Sequence, residues 1–166
     1  EEFVNWVKLW SAKTGIPLST VPSIYNDTPK DLEKMMVLDK TPISVNGFTF
    51  LVTLKTNRIT KFDSGDLLAI YPANDPRERL YSIGNINGNI QLAIKLHPSG
   101  LGSGYLYNLE PGEVIKARII KNPSFHFPKR ASKVALISNG TGIAPFLGML
   151  QQNKKKTEIH LYCGFR

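Results

Sequence analysis

Four consecutive residues near the middle of the chain combine a cation, an aromatic ring and a hydroxyl: Arg79, Leu80, Tyr81 and Ser82. Alternate side chains of a strand point to opposite faces, so Arg79 and Tyr81 share one face. Tyr81 can then lie flat on a planar ring while Arg79 reaches a phosphate, and Ser82 can hydrogen-bond the edge of that ring. A flavin nucleotide requires such contacts, although the same pattern also occurs in ordinary surface strands.

A glycine-rich segment follows, with glycines at 100, 102 and 104 and a serine at 103. Glycines let the backbone approach a ligand closely. We predict Ser103 as the N-cap of a short helix over residues 105–109, and a helix N-terminus binds anions. The segment therefore predicts a phosphate site, with a glycine-rich hairpin loop as the alternative.

Residues 134–150 read as a buried parallel strand, a glycine turn and a helix with Pro145 in its first turn. This order is typical of the start of a dinucleotide-binding unit, whose phosphates lie at the turn. The turn contains Gly140, Thr141 and Gly142 but lacks the G-x-G-x-x-G spacing. Other α/β proteins contain similar turns, so this motif alone does not decide the function.

In this order, the three motifs resemble those of the ferredoxin-NADP reductase family, and within it the diflavin reductases typified by the sulfite reductase flavoprotein. The resemblance covers about residues 41 to 166 and includes the run from Gly65 to Asp75. Diflavin reductases usually carry a long helical insertion between that run and the flavin motif. Here only three residues lie between Asp75 and Arg79. His126 stands where the family often has an arginine, which removes a permanent positive charge near the cofactor.

The resemblance implies an FAD-binding module of an NADPH-dependent oxidoreductase. Hydride would pass from NADPH to FAD, and electrons would pass on to a flavodoxin-like FMN domain in the same chain or in trans. Tyr81 and Ser82 would be the catalytic residues, since Tyr81 covers one ring face and Ser82 tunes the nitrogen that accepts hydride. The implied cofactor-binding residues are Arg79, Leu80, Tyr81, Ser82, Ala93, Ile94, Lys95, Gly100, Leu101, Gly102, Ser103, Gly140, Thr141 and Gly142.

The predicted fold is a β-barrel plus α/β: an antiparallel six-stranded FAD-binding barrel over residues 41–131, then the start of a parallel-sheet NADP-binding domain, truncated, over 132–166. Alternating apolar residues at 48–54 and 90–96 predict barrel strands, and Asn46-Gly47 and Asn87-Gly88 predict hairpin turns. Residues 1–17 hold an amphipathic helix, interpreted as the C-terminal helix of a preceding flavodoxin-like domain, and residues 18–40 are predicted to be a linker. The apolar stripe of this helix contains Phe3, Trp6, Val7 and Trp10.

A truncated α/β part predicts an uncovered apolar surface, because two parallel strands cannot bury both of their faces. We expect this surface around Leu136, Phe146, Leu150 and Leu161. Three separated histidines and one cysteine predict no metal site. The single cysteine excludes an internal disulfide, which favours a cytoplasmic location, including the cytoplasmic face of a membrane-anchored parent. No apolar run reaches the roughly 18 residues that a membrane-spanning helix needs.

The formal net charge of +8 suits polyanionic cofactors and acidic partner domains, and it would also suit nucleic acid. The alternative function is therefore a non-catalytic basic β-barrel that binds nucleic acid or a protein partner. Basic residues are not interleaved with exposed aromatic residues, however, as they are on nucleic-acid-binding surfaces. We predict no nucleic-acid partner and no direct membrane insertion.

Overall fold

The computed structural model describes residues 2–16, 31–44, 47–57, 60–72, 75–154 and 157–164, in two compact units that divide between Lys30 and Asp31. The first unit contains helix α1, Glu2–Thr14, as the sequence predicted. The Trp6 and Trp10 rings lie 6.0 Å apart on it, both about half exposed, whereas Val7 is buried. Residues 18–30 of the predicted linker and Asn46 of one predicted hairpin turn lie outside the described residues.

Seven antiparallel strands form the main sheet of the second unit: β1 Glu33–Lys40, β2 Thr49–Thr56, β3 Leu67–Ile70, β4 Arg79–Ser82, β5 Gly84–Ile86, β6 Asn89–Lys95 and β7 Val114–Ile120. Their order in the sheet is β4-β3-β7-β1-β2-β6-β5. Strands β4 and β5 end this order at opposite sides, yet only Ile83 separates them along the chain. The sheet therefore curves into a near-closed barrel, and six strands result if residues 79–86 are counted as one.

The barrel core follows the predicted alternation along β2 and β6. Val52 and Leu92 face each other in the register of these strands, and both are fully buried. Each such side chain contributes about 1.5–3 kcal/mol when removed from water. Asn87 and Gly88 form the predicted hairpin turn between β5 and β6, with positive φ angles of 53° and 83°. Phe48 departs from the prediction, because it precedes β2, has a φ of 48° and is 60% exposed.

Strand β1 lies inside the segment predicted as a linker, so the barrel begins at Glu33 and not at residue 41. Only Met35 and Val37 of this strand are buried, and charged residues flank them at both ends. Such a short alternation among charged residues gives little strand signal in the sequence. Pairing with β2 on one side and β7 on the other makes β1 a central strand.

Two short helices and two parallel strands complete the unit: α2 Leu101–Asn108, β8 Lys133–Asn139, α3 Ala144–Gln151 and β9 Glu158–Gly164. A 3-10 turn over Gly140–Ile143 joins β8 to α3, which confirms the predicted strand, turn and helix. Helix α3 packs directly on β5. A Cβ atom on Gly148 would collide with Ser64 Oγ and lie 2.5 Å from the backbone nitrogen of Asn85.

The apolar core of the α/β part is small, and it consists of Leu136, Phe146 and Met149. The expectation that Leu136 and Phe146 would be exposed is wrong, because they bury each other and are 5% and 6% exposed. Leu150 and Leu161 are partly exposed, at 36% and 37%. Among the described residues, none of the helices combines the length and hydrophobicity needed to cross a bilayer.

Candidate flavin site

A cavity of about 470 Å³ opens between strands β4 and β6, the start of α2 and the turn after β8. All of the predicted cofactor-binding residues line it except Gly140, which lines an adjoining cavity of about 350 Å³ together with Thr141. His97 also lines this cavity. Ile94 is 2% exposed, so its side chain belongs to the barrel core and its backbone faces the cavity.

Strand β4 forms one wall of the cavity. Its register with β3 pairs Leu68 with Tyr81 and Ile70 with Arg79, so Tyr81 and Arg79 share the inward face. Tyr81 packs partly against the barrel core, and burial raises the pKa of its phenol, although the nearby Arg79 charge opposes this. Ser82 lies on the other face and is exposed. Its hydroxyl forms no hydrogen bond with any residue that the structure describes, so it is available to a ligand.

Helix α2 forms the opposite wall, and it begins earlier than predicted. Gly100 is the N-cap, so the prediction that Ser103 caps the helix is wrong. Ser103 lies in the first turn, where its Oγ accepts the His97 backbone N–H at 3.1 Å and donates to the Gly100 carbonyl at 3.3 Å. These bonds hold the loop against the helix. The N–H groups of a first helical turn have no partners within the helix, which suits an anion.

Gly102 marks the closest approach of the two walls. A Cβ atom at this position would lie 2.8 Å from Tyr81 Oη and 3.0 Å from Arg79 Cγ. A side chain here would therefore require the Tyr81 and Arg79 side chains to shift. Glycine at this position thus lets the two walls approach closely.

Asp75 is the neighbour of this site to which sequence reasoning assigned no role. Its carboxylate accepts a hydrogen bond from Arg79 Nη2 at 2.9 Å and also pairs with Arg77. The signal available in the sequence was the spacing of three charged residues: Arg77 and Arg79 follow Asp75 by two and four positions. At this spacing one carboxylate can contact both arginines.

His126 does not line the predicted flavin cavity, contrary to the expectation that it lies near the cofactor. Its Nε2 is 2.7 Å from Oδ1 of the fully buried Asp66, and it lines a separate cavity of about 270 Å³ between the barrel and α3. Burial opposes the ionisation of Asp66, but hydrogen bonds from the backbone of Asp63 and Asn122 and from His126 and Lys121 outweigh it. Together they lower the pKa of Asp66 to about 2.

The same cluster brings ligand-type atoms of Asp63, Asp66 and His126 within 4.8 Å of one another. The Lys121 ammonium lies 2.9 Å from Asp66 Oδ2 and already supplies a positive charge there. Among the described residues we therefore assign these atoms to a structural ion-pair network. The absence of a metal from this protein stays a prediction.

No protein-family model matches the chain. NADH-cytochrome b5 reductase 2 of Yarrowia lipolytica is 29% identical over 133 residues, which cover 75% of this chain and 41% of the relative. NADH-cytochrome b5 reductase 1 of Aspergillus clavatus is 28% identical over 162 residues, covering 91% and 52%. The self-sufficient cytochrome P450 monooxygenase CYP505U2 of Exserohilum turcicum is 38% identical over 56 residues, or 32% and 5%. The chain thus spans about half, or less, of the curated relatives it matches.

Solved structures show the same architecture. The ferredoxin-NADP+ reductase from Plasmodium falciparum superposes with a TM-score of 0.71 and 26% identity, covering 86% of this chain and 62% of that one. The Amycolatopsis cytochrome P450 reductase GcoB has a TM-score of 0.68 at 22% identity, covering 81% and 44%, and supports the fold alone. Together, the shared fold and the sequence similarity show that the chain resembles proteins of the ferredoxin-NADP reductase-like family.

Proposed function

We propose that this chain is the FAD-binding part of an NADPH-dependent flavoprotein reductase that passes electrons to a flavodoxin-like FMN domain. The observation that carries the proposal is the single cavity that gathers Arg79, Tyr81 and Ser82 with the glycine loop of α2 and the turn after β8. Its volume of about 470 Å³ lies within the usual range of ligand sites, roughly 300–1,000 Å³.

Bound FAD would accept hydride from the nicotinamide and release electrons to the acceptor. The side chains of the protein would bind the FAD and orient it. Tyr81 would cover one face of the flavin ring, and Arg79 with the loop from Gly100 to Ser103 would hold the pyrophosphate. The Ser82 hydroxyl would donate a hydrogen bond to the nitrogen that accepts hydride. Thr141 and Gly142 would receive the nucleotide phosphates at the other side of the cavity.

The flavodoxin-like acceptor is supported by helix α1. Leu9 is 71% exposed and Trp10 of the apolar stripe is 45% exposed, and such apolar surface suits packing in a neighbouring domain. We assign the helix to the end of that FMN domain, and we assign the reductase to the cytoplasm on the grounds of its single cysteine.

A second candidate differs in both donor and acceptor. Several relatives are named NADH-cytochrome b5 reductases, which favours NADH as the donor and a haem protein as the acceptor. Reduction of FAD in the protein as its gene encodes it, followed with NADH and NADPH separately, distinguishes the donors. A higher kcat/KM with NADPH supports the first candidate, and a higher value with NADH supports the second.

Flavin identity is the direct test of the proposal. The purified chain should be yellow, and flavin extracted from it should be FAD, because FMN lacks the second phosphate that the Arg79 and α2 walls would hold. Chromatography of the extract against FAD and FMN standards measures this. A colourless protein that takes up neither flavin contradicts the proposal and favours the basic binding module. An extract that is mainly FMN contradicts the choice of FAD.

The proposed role of Ser82 is tested by Ser82→Ala in the same full-length protein. The variant should keep its FAD but be reduced by the nicotinamide about 10- to 100-fold more slowly, because one oriented hydrogen bond is lost in the transition state. Stopped-flow absorbance of the flavin measures the rate. Reduction at the parent rate would exclude this role.

A further inference from the structure

The carboxylate of Asp75 joins two arginines beside the flavin cavity. Arg79 Nη2 donates to Asp75 Oδ2 at 2.9 Å. Arg77 donates through Nη2 to Oδ2 at 2.9 Å, and through Nε and its backbone N–H to Oδ1, both at 3.0 Å. The Asp75 side chain is only 9% exposed, so these bonds form largely away from water. Asp75 itself does not line the cavity, whereas Arg79 does.

The remaining bonds of Arg79 restrict its guanidinium further. Nη1 donates to the carbonyls of Arg77 and Glu78 at 3.1 and 3.3 Å. The Nε–H group and the second N–H of Nη2 have no hydrogen-bond partner among the residues that the structure describes. A guanidinium that presents two adjacent N–H groups matches a phosphate, which can accept both. Arg79 is thus held by these bonds while it lines the cavity.

Arg77 determines the net charge of the cluster that it forms with Asp75 and Arg79. A single carboxylate beside Arg79 would cancel the charge that attracts a phosphate, and the second arginine adds a positive charge. The Arg77 guanidinium holds the pKa of Asp75 well below its usual range, so the carboxylate stays ionised at any pH at which the protein is used. Arg77 is 56% exposed, and it reaches Asp75 from the solvent side.

We propose that Asp75 is a positioning residue that orients Arg79 toward the FAD pyrophosphate, with Arg77 as the counter-charge. The inference rests on the proposed function, because it requires a flavin with phosphates in this cavity. Its energetic basis is preorganisation: an arginine already held in the binding geometry loses less rotamer freedom when the ligand arrives. The effect must therefore appear for FAD and be absent for riboflavin, which has the ring and lacks the phosphates.

The experiment uses apoprotein of the full-length protein and measures the Kd of FAD and of riboflavin by flavin fluorescence quenching. Asp75→Asn should weaken FAD binding about 10-fold, as expected when a charged hydrogen bond no longer orients the binding group, and leave riboflavin binding unchanged. Asp75→Glu should recover part of the loss. Asp31→Asn is the control, since Asp31 also faces an arginine, Arg118 at 3.8 Å, but lies outside the cavity lining.

A double-mutant cycle with Arg79→Gln gives the decisive readout. If Asp75 acts through Arg79, Asp75→Asn will add nothing to the loss caused by Arg79→Gln. Full additivity, or an equal loss of FAD and riboflavin, would overturn the inference by showing a role in the fold of the loop. If Asp75→Asn does not fold, Arg77→Gln provides the same contrast: a several-fold weaker FAD Kd at low salt supports the inference, and an unchanged Kd overturns it. A parent protein that binds no FAD would instead refute the proposed function.

Discussion

The barrel and the α/β part of the second unit bury their apolar residues to very different extents. In the barrel, Leu54, Leu92 and Ile90 are fully buried, and the sheet nearly closes on itself. In the α/β part, Ile137 and Tyr162 of the two-stranded sheet are 74% and 58% exposed. A closed sheet has no free edge and one enclosed face, whereas a parallel pair has two edges and two faces to cover.

This difference also divides the candidate site. The wall that contains Arg79, Tyr81 and Ser82 belongs to the barrel, and only Thr141 and Gly142 come from the α/β part. Flavin binding should therefore depend mainly on the barrel. The nucleotide side of the cavity should depend on whatever stabilises the small core of Leu136, Phe146 and Met149.

Hydrogen exchange should give the largest contrast between the two regions. Backbone amides of β2 and β6 pair within the closed sheet, and we expect them to exchange at least about 100-fold more slowly than those of β9. Strand β9 pairs with β8 alone among the described strands. Mass spectrometry of peptides from both regions measures the ratio. Equal protection of β6 and β9 would contradict the contrast.

A matched pair of leucine truncations tests the same contrast by stability. Leu92→Ala in β6 should lower the free energy of unfolding by about 2–5 kcal/mol, because it leaves a cavity in a close-packed core. Leu161→Ala in β9 removes a side chain that is 37% exposed and should cost less than about 1 kcal/mol. Urea unfolding of both variants measures the difference, and similar losses would show that the α/β part is as tightly packed as the barrel.

Asp66 and Glu158 provide a pair of charged residues with a smaller expected effect. The pKa of Asp66 lies at about 2 in the folded protein, below its ordinary value of 3.8, so its stabilisation is present above pH 4 and is lost as the pH falls toward 2. Over that pH range the free energy of unfolding of the parent should fall by about 2 kcal/mol, and the Asp66→Asn variant should not show this fall. Glu158 pairs with Lys133 at the surface of β9, and Glu158→Gln should leave the stability unchanged.

Acid titration of unfolding, followed by circular dichroism, measures this effect in the parent and both variants. Parallel pH profiles for the parent and Asp66→Asn would show that the buried hydrogen bonds of Asp66 do not stabilise the fold.

The sequence by itself determined the features that depend on neighbouring residues. Alternation along β2 and β6 identified the inward-facing Val52 and Leu92, and Asn87-Gly88 identified a hairpin turn that needs two positive φ angles. The run around Gly140 identified a strand, turn and helix. Each of these signals lies within about ten residues, because periodicity and turn chemistry act over that range.

Only the tertiary structure decided the features that depend on distant pairing. Strand β1 carries a weak local signal and becomes central because β2 and β7 hydrogen-bond to both of its sides. His126 pairs with Asp66, 60 residues away, and not with the cofactor cavity. Closure of the barrel creates these contacts, and no local pattern encodes which distant groups it brings together.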